Sequence, residues 1–259
     1  MGLRGDPARM EAILVEFLVP IVAFLCLIAA AAAGAFVNVR VPTRHLQDGT
    51  VEIVRIVVNI FVVMTSLVVG LMLASAKDTF ETNNRNVHAL ATEIILLDRN
   101  LRTLGAQTDE ARRHLVEYAR TALNEADILQ ADPQAEAALD ATGMSLRTIR
   151  VSDNQALAVW NDARQMYRQV ERERWVVVDA AGGTIPTPLI VTLIAWLAAI
   201  FVGLGYRAPR NAVVTTTFVV AALLLSAALY LILEMDRPAS GLIHVSNAPV
   251  QRALAQLQR

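Results

Sequence analysis

Long apolar runs stand at both ends of the chain, residues 12–38 and 56–76 at one end and 188–206 and 212–233 at the other, with a mixed pattern between them. At about 1.5 Å per residue, each run is long enough to cross a bilayer core as a helix. The first run follows Arg4 and Arg9, and its Ala-rich residues near 31–35 imitate a signal-peptide cleavage site. It is about twice as long as the apolar region of such a peptide, and a second span follows closely. We therefore read it as a retained transmembrane helix, with Pro20 inside it. The pattern predicts an all-α membrane protein with four spans.

The second run is not apolar all round. At about 100° per residue, Glu52, Arg55, Asn59, Ser66, Gly70, Lys77 and Glu81 fall within an arc of roughly 80°. Midway along that arc the polar residues give way to Val63, Gly70 and Leu73, so the stripe is wet at both ends and dry at the waist. Polar groups are expensive in hydrocarbon and should face protein or water. Two readings are open. The stripe packs on neighbouring helices, or it lines a pore whose hydrophobic constriction gates by dewetting.

Beyond Lys77 the same helix is predicted to continue as an amphipathic one, without a break before Gly105. Residues 77–184 are rich in charge and helical in pattern throughout. Val87, Ala91, Ile94, Leu97, Leu101 and Leu104 form one stripe. A second helix begins at Thr108 and closes at Asp132-Pro133, with Ala111, Leu115, Tyr118, Ala119 and Leu123 on its apolar side. A short Ala-rich helix ends at Gly143, and another opens at Ser152 or Asp153 and reaches the WVVV run at 175–178. After the fourth span, a final helix with Ser246 or Asn247 as cap shows Val250, Leu254 and Leu257 on its apolar side. This predicts four regions: spans one and two over 1–76, a soluble helical domain over 77–184, spans three and four over 185–235, and a C-terminal motif and helix over 236–259.

Composition agrees with the pattern. The chain is 55% hydrophobic and 18% charged, with a mean hydropathy of +0.44, which is the balance of a membrane protein. A net charge of −1 supplies no basic surface for a nucleic acid. The single cysteine, Cys26, can form no intrachain disulfide.

Catalytic and metal-binding signatures are missing: no HExxH, no glycine-rich phosphate loop, no GxSxG and no Cys/His cluster. His45, His88, His114 and His244 are scattered and read as solvated or locally bonded. These absences predict a protein that is not an enzyme and carries no cofactor or metal. Asp98 and Arg102, spaced i,i+4, read as a solvated helix face. Glu234 and Asp236 at the end of the fourth span oppose the helix dipole, which calls for something positive nearby. A structural ion pair is the expected answer, ahead of calcium, because two acids are few for six to eight oxygen ligands.

The segments FVGLGYRAPRN and YLILEMDRPASGLIHVSNAPVQRALAQL resemble the bestrophin-like domain family of bacterial membrane proteins, long catalogued as of unknown function. The resemblance rests on Trp196 in the third span and on the turn containing Pro209, Arg210 and Asn211. It also rests on the exit with Glu234, Asp236, Pro238 and Gly241, and it covers essentially the whole chain. It reaches true bestrophins more distantly: Ala239 replaces an aromatic residue and the acidic run of their calcium clasp is missing. Bestrophins are homopentameric ion channels whose second helix lines a narrow hydrophobic neck. Carried over by position, the neck falls among Val62, Val63, Ser66, Gly70 and Leu73, between Glu52, Arg55 and Asn59 on one side and Lys77 on the other. The aromatic residues of a bestrophin neck are absent there, so selectivity does not transfer.

The resemblance therefore implies a homo-oligomeric ion channel in a bacterial inner membrane, with small ions, membrane lipid and its own copies as partners and no nucleic acid. The other class is a non-conducting membrane scaffold or sensor whose helical domain binds a protein. Four spans put both termini and the helical domain on one side. Arginine and lysine counts near the span ends favour that side as cytoplasmic, whereas charge density in the short loops favours the reverse.

Overall fold

The structure is a computed structural model that describes residues 7–40, 48–124, 129, 132–150, 154–180, 183–206, 208–209, 211–237 and 245–258. Among the described residues the chain is helical, without a strand. The helices are α1 (Pro7–Arg40), α2 (Asp48–Leu104), α3 (Asp109–Asn124), α4 (Pro133–Thr148), α5 (Asn154–Asp179), α6 (Thr187–Gly205), α7 (Ala212–Asp236) and α8 (Ala248–Leu257). They fall into two compact units. The first comprises residues 1–78 and 184–236, the second residues 79–183 and 237–259.

The first unit holds the four long apolar helices. Its core is Leu27 of α1, Leu193, Leu197 and Phe201 of α6, and Ala222 and Leu229 of α7. The rings of Phe201 and Phe218 meet at a tilt of 56°, with centroids 5.8 Å apart. What brings α1 against α6 is the absence of side chains. A Cβ at Gly34 would strike the backbone of Val202 and Tyr206, and a Cβ at Gly205 would strike the backbone of Ala31. Two helices can approach this closely only where neither carries bulk, and the gain is dispersion between backbones, since lipid supplies no hydrophobic drive.

Helix α2 runs for 57 residues, as the uninterrupted pattern predicts, and stops at Gly105, whose φ of +75° only glycine adopts without strain. A 3-10 turn, Gly105–Thr108, follows, in which the Thr108 hydroxyl donates to the carbonyls of Leu101 and Gly105 at 2.8 Å.

The second unit packs the amphipathic faces of α2 (from Thr79), α3, α4, α5 and α8 around Leu90, Ile94, Leu97, Leu115, Tyr118, Leu146, Val170 and Val250. Three expectations are corrected here. Asp132-Pro133 does not close a helix but opens one. The Asp132 carboxylate accepts from the backbone N–H of Gln134 at 2.8 Å and of Ala135 at 3.0 Å, a capping arrangement for α4. Gly143 lies inside α4, which continues to Thr148. The glycine is there for space, because a Cβ would meet the Tyr167 ring and hydroxyl at 2.5 Å.

The third correction concerns Asp98, which is buried rather than solvated. It accepts from Arg102 Nε at 2.7 Å and from Arg112 Nε at 2.8 Å. The other end of the Arg102 guanidinium donates to the carbonyls of Gln256 and Leu257 at 3.1 Å, where the negative end of the α8 dipole favours a cation. One carboxylate thus ties α2 to α3 and, through Arg102, to the last turn of α8.

Tyr118, fully buried in this core, has a hydroxyl without a hydrogen-bond partner. Burial pushes its phenol up from 10 to about 12, while nearby Arg174 pulls the other way. The unfolded phenol ionises near pH 10 and the folded one near 12, so the unfolded state loses its proton first. Stability from this group is complete below pH 10 and is lost as the pH rises through 12. Tyr118→Phe is expected to leave neutral-pH stability unchanged or raise it by about 1 kcal/mol, since an unsatisfied hydroxyl is removed. It should also flatten the alkaline decline. Melting of the detergent-solubilised full chain across that pH range checks both effects.

Candidate pore-lining helix

The register of α2 separates its faces. In the membrane unit Thr65, Met72 and Ala76, spaced seven and four apart, are buried against the protein's own chain. Phe61, on the same side, meets Trp196 of α6 edge to face with centroids 5.8 Å apart. Val58 occupies the space beside Gly203, where a Cβ would come within 2.7 Å of its methyl. Nothing else between Arg55 and Ala76 is fully buried. Thr65, inside this contact, has a hydroxyl without a partner.

The nine sequence-derived candidates stand on another face, centred roughly 110° round the helix from the Thr65–Met72–Ala76 line. Glu52, Arg55, Asn59, Val62, Val63, Ser66, Gly70, Leu73 and Lys77 are all exposed in the single chain. Val63 is 70% exposed, more than almost any other large apolar side chain in the protein. Among the described residues, nothing lies within 4 Å of where a Cβ on Gly70 would be, so none of them presses on it. Beyond the stripe, Ile56, Ile60, Leu67 and Leu71 are exposed as well. An isolated chain leaves both a polar stripe and an apolar flank of α2 uncovered by its own helices.

The motif residues do different work. Asn211 caps α7: its side-chain oxygen accepts from Val214 N–H at 2.8 Å, and its own N–H donates to the Pro209 carbonyl at 2.9 Å, closing the turn. Trp196 fixes α6 on α2. Asp236, fully buried, accepts from the Thr184 N–H at 2.9 Å, the Thr184 hydroxyl at 2.8 Å and the Ile185 N–H at 3.2 Å. These three neutral donors lie just ahead of α6, where the helix dipole favours a carboxylate. Glu234 is buried beside it in the last turn of α7. Arg210, Pro238 and Gly241 lie outside the described residues, as do His45 and His244. Sequence reasoning missed Phe61, Thr184 and Ile185, since none carries a signal until its partner is known. Among the described residues, no three His, Cys, Asp or Glu side chains are grouped to hold a metal ion.

Among the described residues, four helices long and apolar enough to cross a membrane, joined to a separate helical unit, define a multi-pass helical membrane protein. The bestrophin-like domain family matches residues 25–250, most of the chain, and the protein belongs to that family. Two single-substitution variants of a bacterial bestrophin homologue from Klebsiella pneumoniae share its fold. One has a TM-score of 0.57 and the other 0.59, each at 14% identity over 93% of this chain and 97% of theirs. A further membrane protein of known structure aligns at 15% identity and a TM-score of 0.59, over 92% of this chain and 96% of its own. Comparison with curated proteins gave no match.

Proposed function

We propose that the protein is the subunit of a homo-oligomeric ion channel in which the α2 stripe lines the pore and Val62, Val63, Ser66, Gly70 and Leu73 form a hydrophobic neck. The observation that carries this reading is the exposure of all nine stripe residues in the single chain, alongside an exposed apolar flank. Polar residues at membrane depth need water or protein beside them, and none of the described residues of the same chain covers them. Copies of α2 arranged about an axis satisfy both faces, the stripe toward a water path and the flank toward the neighbouring copy. Family membership points the same way, and a pentamer is the expected number. The membrane is a bacterial inner membrane, with the helical unit on its cytoplasmic side.

Ser66→Cys tests the neck. A bulky thiol reagent attached at a narrow constriction fills the ions' path, so the current should fall by more than about tenfold. The unsubstituted chain, whose one thiol is the half-buried Cys26 of α1, is the control. Currents in planar bilayers that survive complete modification of Ser66→Cys would count decisively against α2 as the pore helix. A folded oligomer that passes no current at all would turn the argument to the scaffold reading.

A further inference from the structure

Near the turn that joins them, α6 and α7 do not close fully against α1. They leave a groove of about 210 Å3, walled by Ile28, Ala32 and Ala35 of α1, Val214 and Phe218 of α7, and Pro209 of the turn. The α1 wall is alanine at two of its three positions, so no long side chain reaches across. From Ala35 to Ile28 the groove descends roughly 10 Å along α1, at about 1.5 Å per residue. Its one hydroxyl, on Thr215, already donates to the Asn211 carbonyl at 3.3 Å. Water finds no partner in such a place, and leaving it empty forfeits dispersion contact with its walls. It is larger than the ~150 Å3 that admits a benzene-sized solute. Beside a spanning helix, the medium that can fill it is hydrocarbon.

The charge at this end of the spans says which hydrocarbon. The fit of Gly34 against Val202 and Tyr206 sets the ends of α1 and α6 side by side. The turn after α6 reads Tyr-Arg-Ala-Pro-Arg-Asn, so Arg207 and Arg210 are the chain neighbours of Ala208 and Pro209, both of which line the groove. Residues 40–48 and 206–211 together hold Arg40, Arg44, Arg207 and Arg210 against one acid, Asp48. A basic cluster beside an apolar cleft between spans suits a lipid with an anionic headgroup. A second copy of the chain suits it poorly. Copies related by an axis along the membrane normal carry the same arginines at the same depth, and like charges would meet.

We propose that this groove is a binding site for an anionic phospholipid, one acyl chain lying between α1 and α7 and the phosphate held by the arginines of the α6–α7 turn. The site is separate from the α2 stripe, and its test needs no current. The full chain is stripped of lipid in a neutral detergent, then given phosphatidylglycerol or phosphatidylcholine with the same acyl chains. Melting is followed, and retained lipid per subunit is counted by native mass spectrometry. Phosphatidylglycerol should raise the melting temperature by roughly 5 °C or more and remain at one molecule per subunit, and phosphatidylcholine should do less than half as much. Ala32→Phe fills the groove and should abolish both effects; Val219→Phe does the same from the opposite wall should the first variant not fold. Arg207→Gln combined with Arg210→Gln should bring phosphatidylglycerol down to the level of phosphatidylcholine, as should raised salt acting on the unsubstituted chain. Equal retention of the two lipids by the parent overturns the charge recognition. Undiminished retention by the folded groove-filling variants overturns the groove as the site. Failure of either kind leaves the pore reading standing, and a silent pore leaves this one standing.

Discussion

Gly205→Val is expected to remove the protein from the folded, detergent-extractable fraction, the largest loss from any single substitution argued from this structure. The new Cβ meets the carbonyl, carbon and Cα of Ala31, which are backbone and cannot rotate away. Helices α1 and α6 must then separate, and Gly34 loses its fit against Val202 and Tyr206 at the same time. Overpacking a side chain costs about 1–3 kcal/mol, and forcing two backbones apart exceeds that range. Gly70→Ala is the matched control: it enters open space and should stabilise α2 by up to ~1 kcal/mol through helix propensity. Extraction yield and thermal melting of the two variants separate the cases. Equal melting temperatures would show that the α1–α6 approach does not hold the unit together.

Asp236→Leu should cost about 3 kcal/mol or more, the second largest effect. The carboxylate is fully buried and receives three hydrogen bonds from Thr184 and Ile185. Its replacement removes the acceptor from each, and a buried group stripped of its partner costs about 1–3 kcal/mol. Asp236→Asn should fall between, because its amide keeps one acceptor oxygen and turns donors toward donors. Melting of the solubilised full chain, with and without calcium, reads both this effect and its competitor. A rise in melting temperature on adding calcium that Asp236→Asn abolishes would overturn the hydrogen-bond account in favour of a bound cation, the alternative ranked below an ion pair from the sequence.

The spans and the α2 stripe were legible because periodicity is local: every residue that sets the register lies within a few turns of the next. Gly143 was misread for the converse reason. A glycine after an Ala-rich run has the signature of a helix stop, and its actual role depends on Tyr167 of the following helix, which no local pattern announces. Asp98 and Arg102 show the same limit more sharply. Their spacing suits a solvated pair, yet Arg112 and the end of α8 converge on them. Asn211 was readable in part, since Asn ahead of an apolar run is a cap signal, whereas the donors for Asp236 lie some fifty residues upstream in the chain. The candidate stripe could be placed from the sequence, but its exposure depended on which face of α2 the other spans would cover.

The close approach of α1 and α6 has a consequence for biogenesis. The partner groove of Gly34 and Ala31 is supplied by Val202 and Gly205, which are synthesised only after α3, α4 and α5. At about 5–20 residues per second, the first two spans stand in the lipid for on the order of ten seconds before their counterpart emerges. During that interval α1 presents a shallow glycine notch that acyl chains fill poorly, beside an α2 with few contacts to hold it. A nascent chain stalled before α6 is therefore a pair of inserted helices without a mate, the form in which membrane proteases and insertion factors would meet this protein.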